Sequence, residues 1–334
     1  MVVCLACVAG ATGYLVHVAR RSAANSRAVA AQSGSPRVAG LLDRPHVLFR
    51  SMITGSATQG QVGVVPLDAA QGPPGITGLD CWRVYVGGGR GICVNESPGF
   101  FTSFGAAFFG PDLKPRHQTA LNGTPSRARV SPDGKLGAVT MFTEGHSYSL
   151  TGGFSTETTF FDMLTGKRIA QLEEFTVLRN GSPFRAVDFN FWGVTFAREP
   201  GRFYATLGTG GESYLVEGRV QSRRVHVLRS GVECPSLSPD NTRIAFKQLV
   251  SKGLGGLGPL VWRVSVLDLA TMKDRFVADR RNVDDQVEWL DDNTLLYAVN
   301  DESGPFDTWA VPADGSGRAR LFIAEGESPT VVRD

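Results

Sequence analysis

One pattern recurs along this chain and restricts what it can fold into. Ser131-Pro-Asp-Gly-Lys-Leu-Gly-Ala-Val139, Ser238-Pro-Asp-Asn-Thr-Arg-Ile-Ala-Phe246 and Leu290-Asp-Asp-Asn-Thr-Leu-Leu-Tyr-Ala298 each read as a strand end, a tight turn and a strand of small and β-branched residues. Weaker copies are Arg198–Ala205, Gly89–Val94 and Pro45–Phe49. With Leu48, Ile92, Leu136, Phe203, Ile244 and Leu295 as markers, the steps are 44, 44, 67, 41 and 51 residues. A second motif follows each marker, a strand running into a turn. Its copies are Val64–Asp68, Ala107–Asp112, Thr159–Gly166, Tyr214–Gly218, Val264–Leu269 and Thr308–Gly315. A further short strand follows most of them. Four strands per unit and six units at a period of 40–50 residues predict an all-β chain, a six-bladed β-propeller of four-stranded antiparallel blades.

The chain ends fit a closed ring. Glu233-Cys-Pro-Ser-Leu237 opens a blade, and Glu327-Ser-Pro-Thr-Val331 repeats its pattern where the chain stops. The last strand is therefore predicted to complete the blade begun near Pro45, removing an exposed edge. The propeller is predicted over residues 41–334, after a flexible linker at 22–40.

Residues 2–19 are apolar or small apart from Thr12, Tyr14 and His17, and Arg20-Arg21 follows them. About 18 apolar residues is the lower limit for spanning a bilayer. Residues 1–21 are read as a signal peptide or transmembrane anchor, with a small-x-small cleavage pattern at Ala28-Val29-Ala30. Export is expected, to an extracytoplasmic site, membrane-anchored or secreted. The cysteines agree. Cys81 and Cys93 lie either side of Gly87, so a hairpin folded there sets them opposite each other as a disulfide. The alternative is a pair of buried free thiols. Cys234 reads as core.

Net charge is +2, and the 34 Lys and Arg and 32 Asp and Glu form no long block. A nucleic-acid partner needs a concentrated basic stripe, so none is expected. The five histidines show no metal-ligand spacing. Gly145–Ser149 and Gly211–Leu215 lack the last glycine of a serine-hydrolase elbow. Gly253–Gly258 matches a dinucleotide-loop pattern but links two strands, which makes it a loop. No catalytic residue, cofactor or metal ligand is assigned.

One constellation remains. Innermost propeller strands begin together at one mouth of the central channel. The residues entering them are Arg127, Arg129, Asp188, Asn190, Glu233, Asp284, Asp285, Gln286 and Glu327, with Trp192 beside them. They are predicted either to bind a cation or polar ligand with hard oxygen atoms, or to cap strand ends and satisfy one another. Trp192 is a ligand platform or core packing.

The Ser-Pro-Asp-Gly/Asn turns, the Trp-Ala-Val-Pro-Ala-Asp-Gly strand end and the six units resemble TolB-type, WD40-like propeller repeats. Together with the leader, Asn190–Phe196, Glu233–Asp240 and Val283–Gln286 they look like a group of actinobacterial TolB-like exported proteins, over roughly residues 40–334. TolB also carries an N-terminal α/β domain for which residues 1–40 leave no room. The resemblance implies a non-catalytic scaffold, expected to be a monomer, that binds a protein or peptide partner outside the membrane and meets the membrane through its N-terminal segment. The alternative is a propeller hydrolase or lactonase with a metal in the central channel.

Overall fold

The computed structural model describes residues 36–97, 102–144, 154–251, 259–285, 287–300 and 304–333. The leader, the linker up to residue 35, Gly145–Ser149, Gly253–Gly258 and Gln286 lie outside the described residues.

The strands assemble into six sheets, in the order required for a ring of blades. From the channel outward, blade one holds Gly326–Val332, His46–Ser51, Gln61–Pro66 and Gly75–Asp80. Blade two runs Arg83–Gly87, Arg90–Ser97, Ser103–Phe109, Pro115–Leu121, and blade three Thr124–Val130, Leu136–Glu144, Ser155–Asp162, Arg168–Gln171. Blade four runs Asn190–Phe196, Arg202–Thr209, Glu212–Arg219, Arg224–Ser230. Blade five is Glu233–Leu237, Arg243–Ser251, Val261–Asp268, Asp274–Phe276, and blade six Glu288–Asp291, Thr294–Asn300, Phe306–Pro312, Arg320–Ile323. The long marker step has a structural cause. The chain between blades three and four forms Thr176–Arg179 and Ser182–Phe184, which extend blade four to six strands, the first pairing parallel with Arg224–Ser230.

Ring closure follows the predicted pattern. The last strand pairs antiparallel with the first, His46 opposite Val332 and Arg50 opposite Glu327. The Glu-x-Pro-Ser/Thr pattern has a backbone reason. Its second residue takes a left-handed conformation, with φ of 48° at Cys234 and 54° at Ser328, and Gly193 holds the same place in blade four at 66°. A side chain at Gly193 would press to 2.6 Å from the Cα of Cys234, so this contact between innermost strands needs glycine. The hydroxyl two residues on then reaches the next blade. Thr195 accepts from the Leu237 amide at 3.0 Å, and Thr330 accepts from the Val86 amide at 3.2 Å.

Every blade interface has its own core, because each sheet is covered on both faces. Phe160 packs toward blade four with Phe191 and Phe203, while the adjacent Phe161 packs toward blade two with Ile92 and Phe108. Leu48 and Phe49 divide in the same way, toward blades two and six. Successive strand residues point to opposite faces, so doubled apolar residues are what a two-sided blade needs. The helix Pro36–Leu42 adds Val38 and Leu41 to the core between blades one and two, so packed structure reaches upstream of residue 41.

The Ser-Pro-Asp turns repeat because they are locally self-satisfied. Ser131 donates to Asp133 at 2.6 Å, and the Leu136 amide donates back to the Ser131 hydroxyl at 2.9 Å. Ser238, Asp240 and the Arg243 amide make the same set.

The disulfide forms between Cys81 and Cys93, with Cα atoms 5.3 Å apart. The hairpin register differs from the expected one. The turn is Gly88-Gly89, both at positive φ, and Cys93 lies opposite Val84. Cys81 instead precedes the strand, where its amide donates to Gly60. The crosslink therefore ties the crossing from blade one to the second strand of blade two.

Glu173 gives a pH-dependent test of the packing between blades three and four. It sits in the turn Leu172–Glu174, half-buried, and accepts from the Thr158 amide at 2.9 Å. Burial pushes its pKa up from an ordinary 4.5 to about 8, and Glu157 and Glu174 nearby add to the rise. A raised folded-state pKa means stability is fully present below about 4.5 and is lost as pH climbs through about 8. Glu173→Gln should therefore gain stability over the wild type at pH 9 relative to pH 5, read from urea midpoints. An identical difference at both pH values would contradict this.

Candidate functional site

The channel is lined by the six innermost strands, and its polar residues come from strands far apart in sequence. Glu327, at the start of the last strand, meets Arg50 at 2.7 Å and Arg83 at 3.7 Å. Arg83 also donates to the Ser126 carbonyl at 2.7 Å. Arg127 approaches Asp285 at 3.8 Å and the Asp284 carbonyl at 3.3 Å. Asp284 in turn pairs with Lys247, which is fully buried. A buried ammonium demands such a partner, since an unpaired charge out of water costs far more than a paired one.

Arg129 is not at this mouth. It lies deeper, pairing with Glu288 at 3.3 Å, donating to the Val287 carbonyl at 2.9 Å and covering the Tyr85 ring at 4.3 Å. The Tyr85 hydroxyl donates to Glu288 at 3.2 Å. Burial raises the Glu288 pKa, against the pull of Arg129. This group forms the floor of the opposite opening, a cavity of about 310 Å³ lined by residues from all six blades, with Arg198, Asn241, Trp289 and Arg333 at its wall.

Asp188, Asn190, Trp192 and Glu233 form a separate place, a cleft of about 530 Å³ between blades four and five. Asp188 accepts from the Thr209 hydroxyl at 2.6 Å and the Gly210 amide at 2.7 Å. These bonds hold its pKa below the usual carboxylate range. Asn190 clamps blade three, accepting from the Thr156 amide at 3.0 Å and donating to the Phe154 carbonyl at 3.1 Å. Trp192 is 4% exposed and stands edge-on to Phe154 at 5.3 Å, in a small core with Phe142 and Cys234. Its main role is packing.

The predicted constellation is thus split three ways. At the mouth, Arg127, Asp284, Asp285 and Glu327 converge as cation–carboxylate pairs. Among the described residues, no three His, Cys, Asp or Glu side chains stand close enough to share a metal ion. Arg50, Arg83, Lys247, Tyr85 and Glu288 were not anticipated. Lys247 did carry a signal, a lone cation inside the mostly apolar run Ile244–Val250. Trp82, just before the first strand residue of blade two, is 37% exposed at the same mouth, with the Arg50 guanidinium 5.2 Å from its ring.

No helix among the described residues is long and apolar enough to cross a membrane. No family model and no curated protein matches the sequence. Solved structures do match. TolB from Acinetobacter baumannii superposes at a TM-score of 0.56 with 17% identity, over 86% of this chain and 66% of that one. This chain thus spans just under two thirds of that protein's length. A TolB candidate from Agrobacterium tumefaciens gives 0.50 and 10%, over 84% and 88%. A chain of the nidogen–laminin complex gives 0.55 and 12%, over 86% and 98%. The likeness is one of fold, and the chain has the TolB-like six-bladed β-propeller fold.

Proposed function

We propose that this chain is an extracytoplasmic, non-catalytic propeller that binds a protein or peptide on the face where the innermost strands begin. The observation that carries the reading is the pairing at that mouth. Its carboxylates meet Arg50, Arg83, Arg127 and Lys247, which makes a rigid rim of donors and acceptors in place of a cluster of open oxygen ligands. Half-exposed Trp82 beside this rim has the character of an interface anchor, since Trp and Arg dominate binding hot spots. The nidogen–laminin likeness supports the reading, because that propeller fold occurs in a protein complex. The disulfide supports an oxidising compartment. Membrane tethering rests on residues 2–19 alone.

The test is capture of partners from the native envelope by the purified protein. Trp82→Ala should weaken capture at least tenfold while leaving the melting temperature within a few degrees. Leu164→Ala, 66% exposed on the opposite face, should leave capture unchanged. Equal capture by wild type and Trp82→Ala would overturn this choice of face.

A further inference from the structure

The cleft between blades four and five has a chemistry the channel lacks. Three carboxylic side chains line it, Asp188, Glu212 and Glu233, and its described lining holds no Lys, Arg or His. Trp192 and Trp262 form aromatic wall, and Gln248 joins them. Acidic residues alone would mean little, because a solvated acidic rim is common. A second observation points to a ligand. The Trp262 indole nitrogen is buried without a hydrogen-bond partner, in a residue only 2% exposed, and so is the Gln248 side-chain oxygen. Buried polar atoms are nearly always paired, so these two call for a partner that the described residues do not supply, a water or another molecule. One is a donor and the other an acceptor.

The aromatic wall also suits a cation. The Lys247 ammonium already lies 4.6 Å from the Trp262 ring centroid. Electron-rich indole faces attract such charges, and guanidinium groups stack on them especially well. The cleft volume of about 530 Å³ falls in the range of small-ligand sites, about 300–1,000 Å³.

We propose that this cleft is a recognition site for a basic side chain, foremost arginine, carried on a peptide segment. Its guanidinium donates to Gln248 Oε1 and toward Glu233, and a peptide carbonyl accepts from Trp262 Nε1. Glu212 and Asp188 supply the attractive field at the rim. A neutral sugar would use the indoles and the orphans but would gain nothing from the negative charge of Asp188, Glu212 and Glu233, so the charge favours the peptide. The inference deepens the proposed binding function, since it names the chemistry of the partner, and rests on that reading.

The experiment titrates the folded protein with acetyl-Arg-Arg-Arg-amide by calorimetry, beside acetyl-Glu-Glu-Glu-amide and cellotetraose. The arginine peptide should bind, more weakly as salt is raised, and the other two should not. Glu212 is exposed, so Glu212→Lys leaves the fold intact and should weaken binding at least fivefold. Glu233→Gln should weaken it about tenfold, and Trp262→Phe, which keeps an aromatic ring but loses the indole N–H, several-fold. Absence of arginine-peptide binding, equal binding by wild type and Glu212→Lys, or preference for the sugar would each overturn the proposal. If the peptide fails while envelope capture still depends on Trp82, the cleft assignment falls and the binding face stands.

Discussion

A chain that stops at Gly326 should lose its cooperative fold or melt at least about 10 °C lower than the full chain. The removed strand is the innermost strand of blade one and pairs along His46–Ser51. Losing it removes several ladder hydrogen bonds, each worth about 1 kcal/mol. It also removes the Glu327 partner of Arg50 and the fully buried Thr330, whose hydroxyl holds the Val86 amide of blade two. Phe49 and Val47, buried under this strand, would meet water, at about 25 cal/mol per Å² of apolar surface. The sum is at least about 5 kcal/mol, against a net stability of about 5–15 kcal/mol for a folded domain. At about 2 °C per kcal/mol for a chain of this size, the melting shift follows. The bare edge of His46–Ser51 should also promote aggregation. Removing only residues 333–334 serves as the control and should change little. An unchanged melt after the longer deletion would contradict ring closure.

The second large effect is expected at the disulfide. Cys81 and Cys93 close a loop with a sequence separation of 12, for which chain-entropy arguments give about 3 kcal/mol. Both cysteines are fully packed in the core between blades one and two, so the crosslink secures an interface as well as a loop. The double change Cys81→Ser and Cys93→Ser should lower the melting temperature by roughly 6 °C, at about 2 °C per kcal/mol. Reduction of the wild type should reproduce most of that loss. Free thiols in protein recovered from outside the membrane would contradict both the crosslink and the oxidising compartment.

The repeats were legible because their cause is local. A Ser-Pro-Asp-Gly/Asn turn is closed by its own serine, aspartate and amides, so the pattern survives wherever the turn does. Ring closure was legible for a similar reason, since Glu327–Val331 encodes the same left-handed kink as Glu233–Leu237 and places a hydroxyl residue two positions after it. The disulfide pairing was legible but its register was not. Three consecutive glycines offered several turn centres, and the backbone chose Gly88-Gly89. The site was legible only as a list of strand starts. Arg50 and Glu327 are 277 positions apart, and Arg127 and Asp284 are 157 apart, so no local pattern joins them. Blade five and its neighbour also tilt Asp188, Asn190 and Glu233 into their own cleft, a division that depends on which side of a strand each side chain leaves.

The most direct measurement is site-specific photo-crosslinking from the two faces of the propeller in its native envelope. A photoreactive residue at position 82 reports the mouth where the innermost strands begin, and one at position 164 reports the opposite face. Discrete protein adducts from position 82, with none from position 164, are the expected result. Adducts from position 164 alone, or none from position 82, would contradict a binding face at this mouth.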